Sequence, residues 1–224
     1  MTYLFEGALS HRDNLGNVQI IEPGDVNWMT AGRGIAHSER TPTAARAQGA
    51  PVHGIQSWVA LPDAAERAAA EFTHYPESQL PRRDADGAAL SVIAGDAYGL
   101  SSPVKTYWPT LYVDARLQRG ARLAAPPHAE RGVYVAAGEI DVGGTRLVTG
   151  QLGVLEPGST PDIEALGDGR VMLLGGAAFE SPRHIWWNFV GSSPDLIEEA
   201  KQRWRDGRFA PVPGESEFIP LPTI

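Results

Sequence analysis

The chain repeats itself, and this constrains its fold more than any other feature. The segment "YLFEGALSH" from Tyr3 resembles "YVAAGEIDV" from Tyr134, and each copy is followed by Glu-Pro-Gly, at Glu22 to Gly24 and at Glu156 to Gly158. The offset is 131 residues at the tyrosines and 134 at the Glu-Pro-Gly turns, so the later copy carries three extra residues in its hairpin. Self-similarity over most of a module implies two like β modules in tandem. The junction is expected near Arg116 to Pro126, giving an N-terminal module over 1–115 and a C-terminal module over 116–224.

Within each module the pattern is that of short strands. The 25 glycines and 18 prolines of the 224-residue chain break it into runs such as "GIQSWVALP", "TLYVDARLQ", "RGVYVAAGEIDV", "QLGVLEPG" and "RVMLLGG", the spacing of an all-β sandwich or barrel. In "LYVDARL", Leu111, Val113, Ala115 and Leu117 alternate with Tyr112, Asp114 and Arg116, which predicts a strand with one wet face. Helices are few. The clearest follows Ser193 as its cap, with Pro194 and Asp195 in the first turn and Gly207 as the stop. Leu196, Ala200 and Trp204 form its core-facing stripe. A second helix is expected in "PDAAERAAAEF", starting at Pro62 and Asp63.

Composition excludes several functions. With no cysteine, disulfides, Cys-rich zinc sites and thiol nucleophiles are ruled out. A net charge of −8 argues against direct nucleic-acid binding, which needs a basic face. No stretch approaches 18 apolar residues and the N-terminus lacks a signal-peptide pattern, so the protein is expected to be cytoplasmic and not membrane-bound.

The chemistry concentrates in "GDVNWMTAGRGIAHSER", Gly24 to Arg40. Residues i and i+2 of a strand project from one face, so His37 and Glu39 can aim an imidazole and a carboxylate into the same space. That is half of a metal site, because a first-row metal takes three or four such ligands. Gly32 and Gly34 are expected to supply positive φ or close backbone approach. Trp28, Met29, Gln56 and Trp58 are candidates for lining a substrate pocket, with core packing as the alternative. His11 beside its Asp- and Asn-rich turn is expected to serve the hairpin, His53 to be a buried strand histidine, and His128 and Glu130 to lie in a loop before a strand. His74 and His184 are assigned no chemistry.

A glycine-bounded strand pair, a Pro-Gly turn and a histidine on the next strand resemble the cupin barrel, and the tandem copy makes a bicupin, two double-stranded β-helix barrels with a C-terminal helix. More specifically, "GDVNWMTAGRGIAHSE" resembles the signature of the pirin family. The tail "HIWWNFVGSSPDLIEEAKQRWRDGRF", with "GESEFIPLP" after it, is similar to the C-terminal region of bacterial pirin-like proteins. The resemblance implies one mononuclear transition metal, usually iron, in the N-terminal cupin, held by a His-x-His pair and a His-x-Glu pair, and a metal-free second cupin. The His-x-Glu pair matches His37 and Glu39. The His-x-His pair belongs to a segment immediately before the strand that matches Met1 to Leu4, so the sequence as given is expected to lack it. In function the resemblance implies a quercetin 2,3-dioxygenase-type oxygenase acting on a flavonol, with Glu39 as ligand and catalytic base. The alternatives are a non-enzymatic regulator, such as a transcriptional co-regulator or a metabolic-enzyme partner, and an inactive truncated form.

Overall fold

The computed structural model describes residues 1–223. They form two compact units, one from Met1–Glu77 with 179–223 and the other from Ser78–Ala178. The junction expected after residue 115 falls inside a strand, Thr110–Leu117, that is paired along both edges. A chain held on both sides by a ladder has no linker there, and the two compact units do not divide at that point.

The first unit opens with β1 (Thr2–Glu6), β2 (Leu9–Asp13), β3 (Val18–Ile21), β4 (Val26–Thr30) and β5 (His37–Arg40). After the short helix α1 (Thr43–Ala47) come β6 (His53–Gln56) and β7 (Glu71–Tyr75). One sheet runs β6-β1-β4-β7 and the other β3-β2-β5. Tyr3, Leu4, Ile21, Val26 and Trp28 are buried, the apolar set that closes such strands over a core. The helix expected in "PDAAERAAAEF" reduces to one 3-10 turn at Asp63–Ala65. Only Glu71 and Phe72 of the segment join β4, Phe72 opposite Met29, while Ala68 closes a turn on the Ala65 carbonyl and gives its own carbonyl to the Arg33 amide, so tertiary contacts override the helical preference of its alanines.

The second unit contains β8 (Arg82–Ala85), β9 (Ala88–Ala97), β10 (Leu100–Ser101), β11 (Thr110–Leu117), β12 (Arg122–Ala124) and β13 (Glu130–Ala137). It continues through β14 (Glu139–Val142), β15 (Thr145–Val148), β16 (Leu152–Leu155), β17 (Asp162–Ala165) and β18 (Gly169–Gly176). A seven-stranded sheet, β10-β9-β11-β18-β13-β16 with β8 on β9, faces a core shared with β12-β17-β14-β15. Val113, Val133, Val135, Ile140, Ile163 and Val171 fill that core. β11 does not have the expected wet face. Tyr112 and Asp114 are buried as well, and Asp114 accepts two hydrogen bonds from Arg170, at 2.8 and 2.5 Å. Of the three residues expected to be wet only Arg116 is exposed, and the buried carboxylate persists because it is paired.

The repeat is visible in both units. Gly24 and Gly158 share the left-handed turn, at φ +88° and +76°. The strands before those turns pair differently: β3 with β2, but β16 with β13. The three additional residues of the second copy release its strand from the hairpin.

The first unit ends with a hairpin, β19 (His184–Trp186) and β20 (Phe189–Gly191), and the helix α2 (Pro194–Arg205). Ser193 caps α2 by accepting a hydrogen bond from the Leu196 amide, and Gly207 follows at φ +65°. The deepest side chain is Ile197, whereas Leu196, Ala200 and Trp204 are half-buried. The expected stripe therefore faces a cleft instead of a closed core. No helix among the described residues is long and apolar enough to cross a membrane.

Candidate functional site

β2 and β5 run antiparallel with His11 opposite Glu39 and Asp13 opposite His37. Because each strand alternates faces, these four side chains share one surface and Arg12, Ser38 and Arg40 the other. His11 is 2% exposed and Asp13 fully buried. His11 stacks between His37, at 5.7 Å between ring centres, and Phe72, at 4.2 Å.

Asp13 organises the turn and the ring together. Its Oδ1 accepts from the backbone amides of Leu15 and Asn17, and its carboxylate also accepts from the Asn17 side chain at 2.8 Å. Burial alone would raise its pKa, but the hydrogen bonds from Asn17, His11 and Leu15 outweigh this and hold the carboxyl below its ordinary value. An ionised carboxylate only accepts, so His11 must donate from Nε2, 3.1 Å from Oδ2. That leaves Nδ1 of His11 turned toward Oε1 of Glu39, at 3.9 Å.

Glu39 is fixed from the other sheet. Thr2 and Gln56 are direct partners across β1 and β6. The Thr2 hydroxyl donates to Oε1 of Glu39 at 2.9 Å, and the Gln56 amide donates to Oε2. Each carboxylate oxygen keeps a lone pair beyond these bonds. His37, at the start of the strand, has an exposed surface, yet protein crowds its ring. This desolvation outweighs the attraction of Glu39 and lowers its pKa, favouring the neutral imidazole that can offer a lone pair.

The loop before β5 aims these groups. Gly32 and Gly34 are at φ +51° and +117°, with the Ala68 carbonyl and the Phe209 ring where their Cβ atoms would stand. The outer face of β5, an edge strand, is held by the C-terminal segment. Ser38 and Arg40 both donate to Glu215, at 2.8 and 3.0 Å, and Arg40 also reaches Glu217. Replacing Glu215 with Ala is expected to speed amide hydrogen exchange at residues 37–40. Unchanged exchange there would mean that pairing with β2 alone holds the strand.

Among the other candidates, Trp28 is 8% exposed within β4 and packs in the core, while Trp58 is 57% exposed. Met29 lines a cleft beside His37, and Gln56 serves as the clamp on Glu39. His53 is not the buried histidine expected; it is exposed, with its ring edge-on to Phe5. His74 bonds Asn27 at 2.8 Å. His128 sits in the loop before β13, its backbone amide on the Pro126 carbonyl. The contributions of His11, Asp13 and Thr2 were not anticipated, although "SHRD" carries the same i, i+2 signal as "HSE".

His37 and Glu39 are nitrogen and oxygen donors suited to a first-row metal. Among the described residues, however, no group of three or more His, Cys, Asp or Glu side chains is placed to hold one. His37 and Glu39 are thus at most part of a metal site.

Residues 1–59 match the pirin family profile, and residues 112–210 match that of the pirin C-terminal cupin domain. A pirin-like protein of Caulobacter vibrioides is 46% identical over 225 residues, covering 99% of this chain and 77% of that protein. The pirin of Rattus norvegicus is 31% identical over 217 residues, covering 93% and 73%. The crystal structure of a quercetin 2,3-dioxygenase from Acinetobacter baumannii superposes with a TM-score of 0.90 at 33% identity, over 100% of this chain and 75% of that one. This chain spans about three quarters of the length of each. The two profile matches, their order along the chain and the two cupin-type β units make it a bicupin of the pirin family.

Proposed function

We propose that His37 and Glu39 are two ligands of a mononuclear transition-metal centre, iron in the first instance, whose remaining ligands lie outside the described residues. The reaction we assign to it is a quercetin 2,3-dioxygenase-type oxygenation of a flavonol. The observation that carries this reading is the clamp on Glu39: Thr2 and Gln56 hold both carboxylate oxygens while leaving each a lone pair, on the strand face that also carries His37. When bound, a metal would polarise the hydroxyl and carbonyl oxygens of such a substrate. Glu39 would accept the hydroxyl proton, with Thr2 and Gln56 holding its carboxylate in place. The similarity to the quercetin 2,3-dioxygenase of Acinetobacter baumannii supports the substrate class.

With two ligands, residues 1–224 are expected to bind iron weakly and substoichiometrically, and to consume little quercetin. Elemental analysis after dialysis against iron, together with the loss of quercetin absorbance, tests this. His37→Ala and Glu39→Gln should each lower the residual metal, by about 10-fold or more. Tight stoichiometric iron that survives both substitutions would place the ligands elsewhere, with His53 and His128 the first to examine. Two ligands and a net charge of −8 also favour a second reading, a regulatory pirin that binds a protein partner. It would be preferred if metal binds at His37 and Glu39 but quercetin is never consumed.

A further inference from the structure

A cleft of about 220 Å³ opens beside His37, between the 31–36 loop on one side and α2 with the β19–β20 hairpin on the other. Its walls are aromatic. Trp187 meets Trp204 at 5.5 Å and Phe189 at 5.6 Å, and Trp204 meets Phe209 at 5.3 Å, all near edge-on. Trp204 has Phe218 stacked on it and Phe209 has Phe189 near-parallel to it, whereas Trp187 has only edge-on partners, Trp186, Phe189 and Trp204, and no stacked ring among the described residues, so it is the wall that can receive a flat ligand.

The charges around the cleft do not cancel. Arg67 pairs with Glu199 at 2.7 Å, and Glu66 accepts from Ser192 at 2.6 Å and lies 3.9 Å from Arg183. Arg33 and Arg203 have no ion-pair partner among the described residues. Arg203 donates to the Arg33 carbonyl and lies 4.7 Å over the Phe209 ring, while the exposed Arg33 guanidinium is uncommitted. A second, independent observation is backbone strain. Trp187 occupies the two-residue turn between Trp186 and Phe189 at φ +49°, a place where Gly or Asn is at ease and a bulky side chain is not. Such outliers persist where their geometry is used.

We propose that this cleft binds a small planar aromatic carboxylate, with its ring against Trp187 and its carboxylate on Arg33. The cavity is below the roughly 300 Å³ at which pockets begin to hold drug-sized ligands, which limits the ligand to one ring or a compact pair. A planar guanidinium fork matches a carboxylate, and aromatic walls select a flat ring over a puckered one. The site goes beyond the metal reading and shares only His37 with it.

The test titrates benzoate into the 224-residue protein, with a chelator present, following tryptophan fluorescence. Saturable quenching is expected. Benzamide, which keeps the ring without the charge, and cyclohexanecarboxylate, which keeps the charge without the aromatic face, should each bind at least about 10-fold more weakly. Trp187→Asn relieves the strained turn, so it should melt no lower than about the parent temperature yet bind benzoate about 10-fold more weakly. Arg33→Ala, at an exposed side chain, should weaken benzoate to a similar extent and keeps the test decisive if the first variant folds poorly. Absence of saturable quenching, equal binding of benzamide, or unchanged affinity in either folded variant would overturn the proposal. Because the measurement is made without metal, its failure leaves the roles of His37 and Glu39 untouched.

Discussion

Replacing Asp13 with Ala is expected to lower the unfolding free energy by about 3–5 kcal/mol, as breaking a buried, fully bonded charge does. The carboxylate is fully buried and receives hydrogen bonds from two backbone amides, the Asn17 amide and the His11 ring. Removing it leaves those donors without their acceptor, at about 1–3 kcal/mol for each that stays buried and finds no substitute. At about 2–4 °C per kcal/mol for a chain of this size, the melting temperature should fall by about 10 °C. Asn17→Ala is the control, since it removes one side-chain donor and leaves the acceptor in place; its loss should be about 1 kcal/mol. If Asp13→Ala melts within about 2 °C of the parent, Asp13 does not organise this turn. The loss should also reach the site, because His11, freed of its partner on Nε2, no longer has a fixed donor side and cannot hold Nδ1 toward Glu39.

How much of this was legible in the sequence follows from which interactions are local. The i, i+2 pair of His37 and Glu39 is a property of one strand, and the structure keeps both on one strand, as the spacing predicted. The left-handed glycines and the Ser193 cap are local as well, and they appear where the sequence placed them. What was missed depends on register. Nothing in "SHRD" says that His11 will lie opposite Glu39, because that pairing is set by the hairpin turn and the neighbouring strand together. Gln56 was read as pocket lining for the same reason; only its position opposite Thr2 turns it toward Glu39. The repeat marks where the motifs recur, whereas the compact units depend on which strands pair. The strand at 110–117 joins its neighbours β9 and β18 on both sides. The misread helix at 62–72 failed on tertiary contacts, since alanine-rich composition cannot register that the Ala68 carbonyl takes the Arg33 amide and that Glu71 and Phe72 pair with β4.

Substituting Gly34 with Ala is the other change expected to have a large effect, and its cost has two separable causes. At φ +117° the residue lies where L side chains are strained, at about 1–3 kcal/mol. The new Cβ would also stand 2.4 Å from Cε1 of Phe209, and forcing an atom into packed space costs about 1–3 kcal/mol more. Gly16 isolates the first cause, because its φ is +91° but no atom lies within 4 Å of its Cβ position. Gly16→Ala should therefore show strain alone. Gly34→Ala should exceed it by the cost of displacing Phe209, a ring packed against Trp204. In a Phe209→Ala background that excess should vanish, and a double-mutant cycle in chemical denaturation reads it directly. If the two alanine substitutions cost the same in the parent protein, Phe209 yields freely and does not brace the loop. If the excess survives removal of Phe209, the brace is the Ala31 and Ala68 carbonyls, which accept from the Gly34 and Arg33 amides. Either brace acts on the residues that immediately precede His37, so the substitution that strains the loop should also lower whatever metal His37 and Glu39 retain.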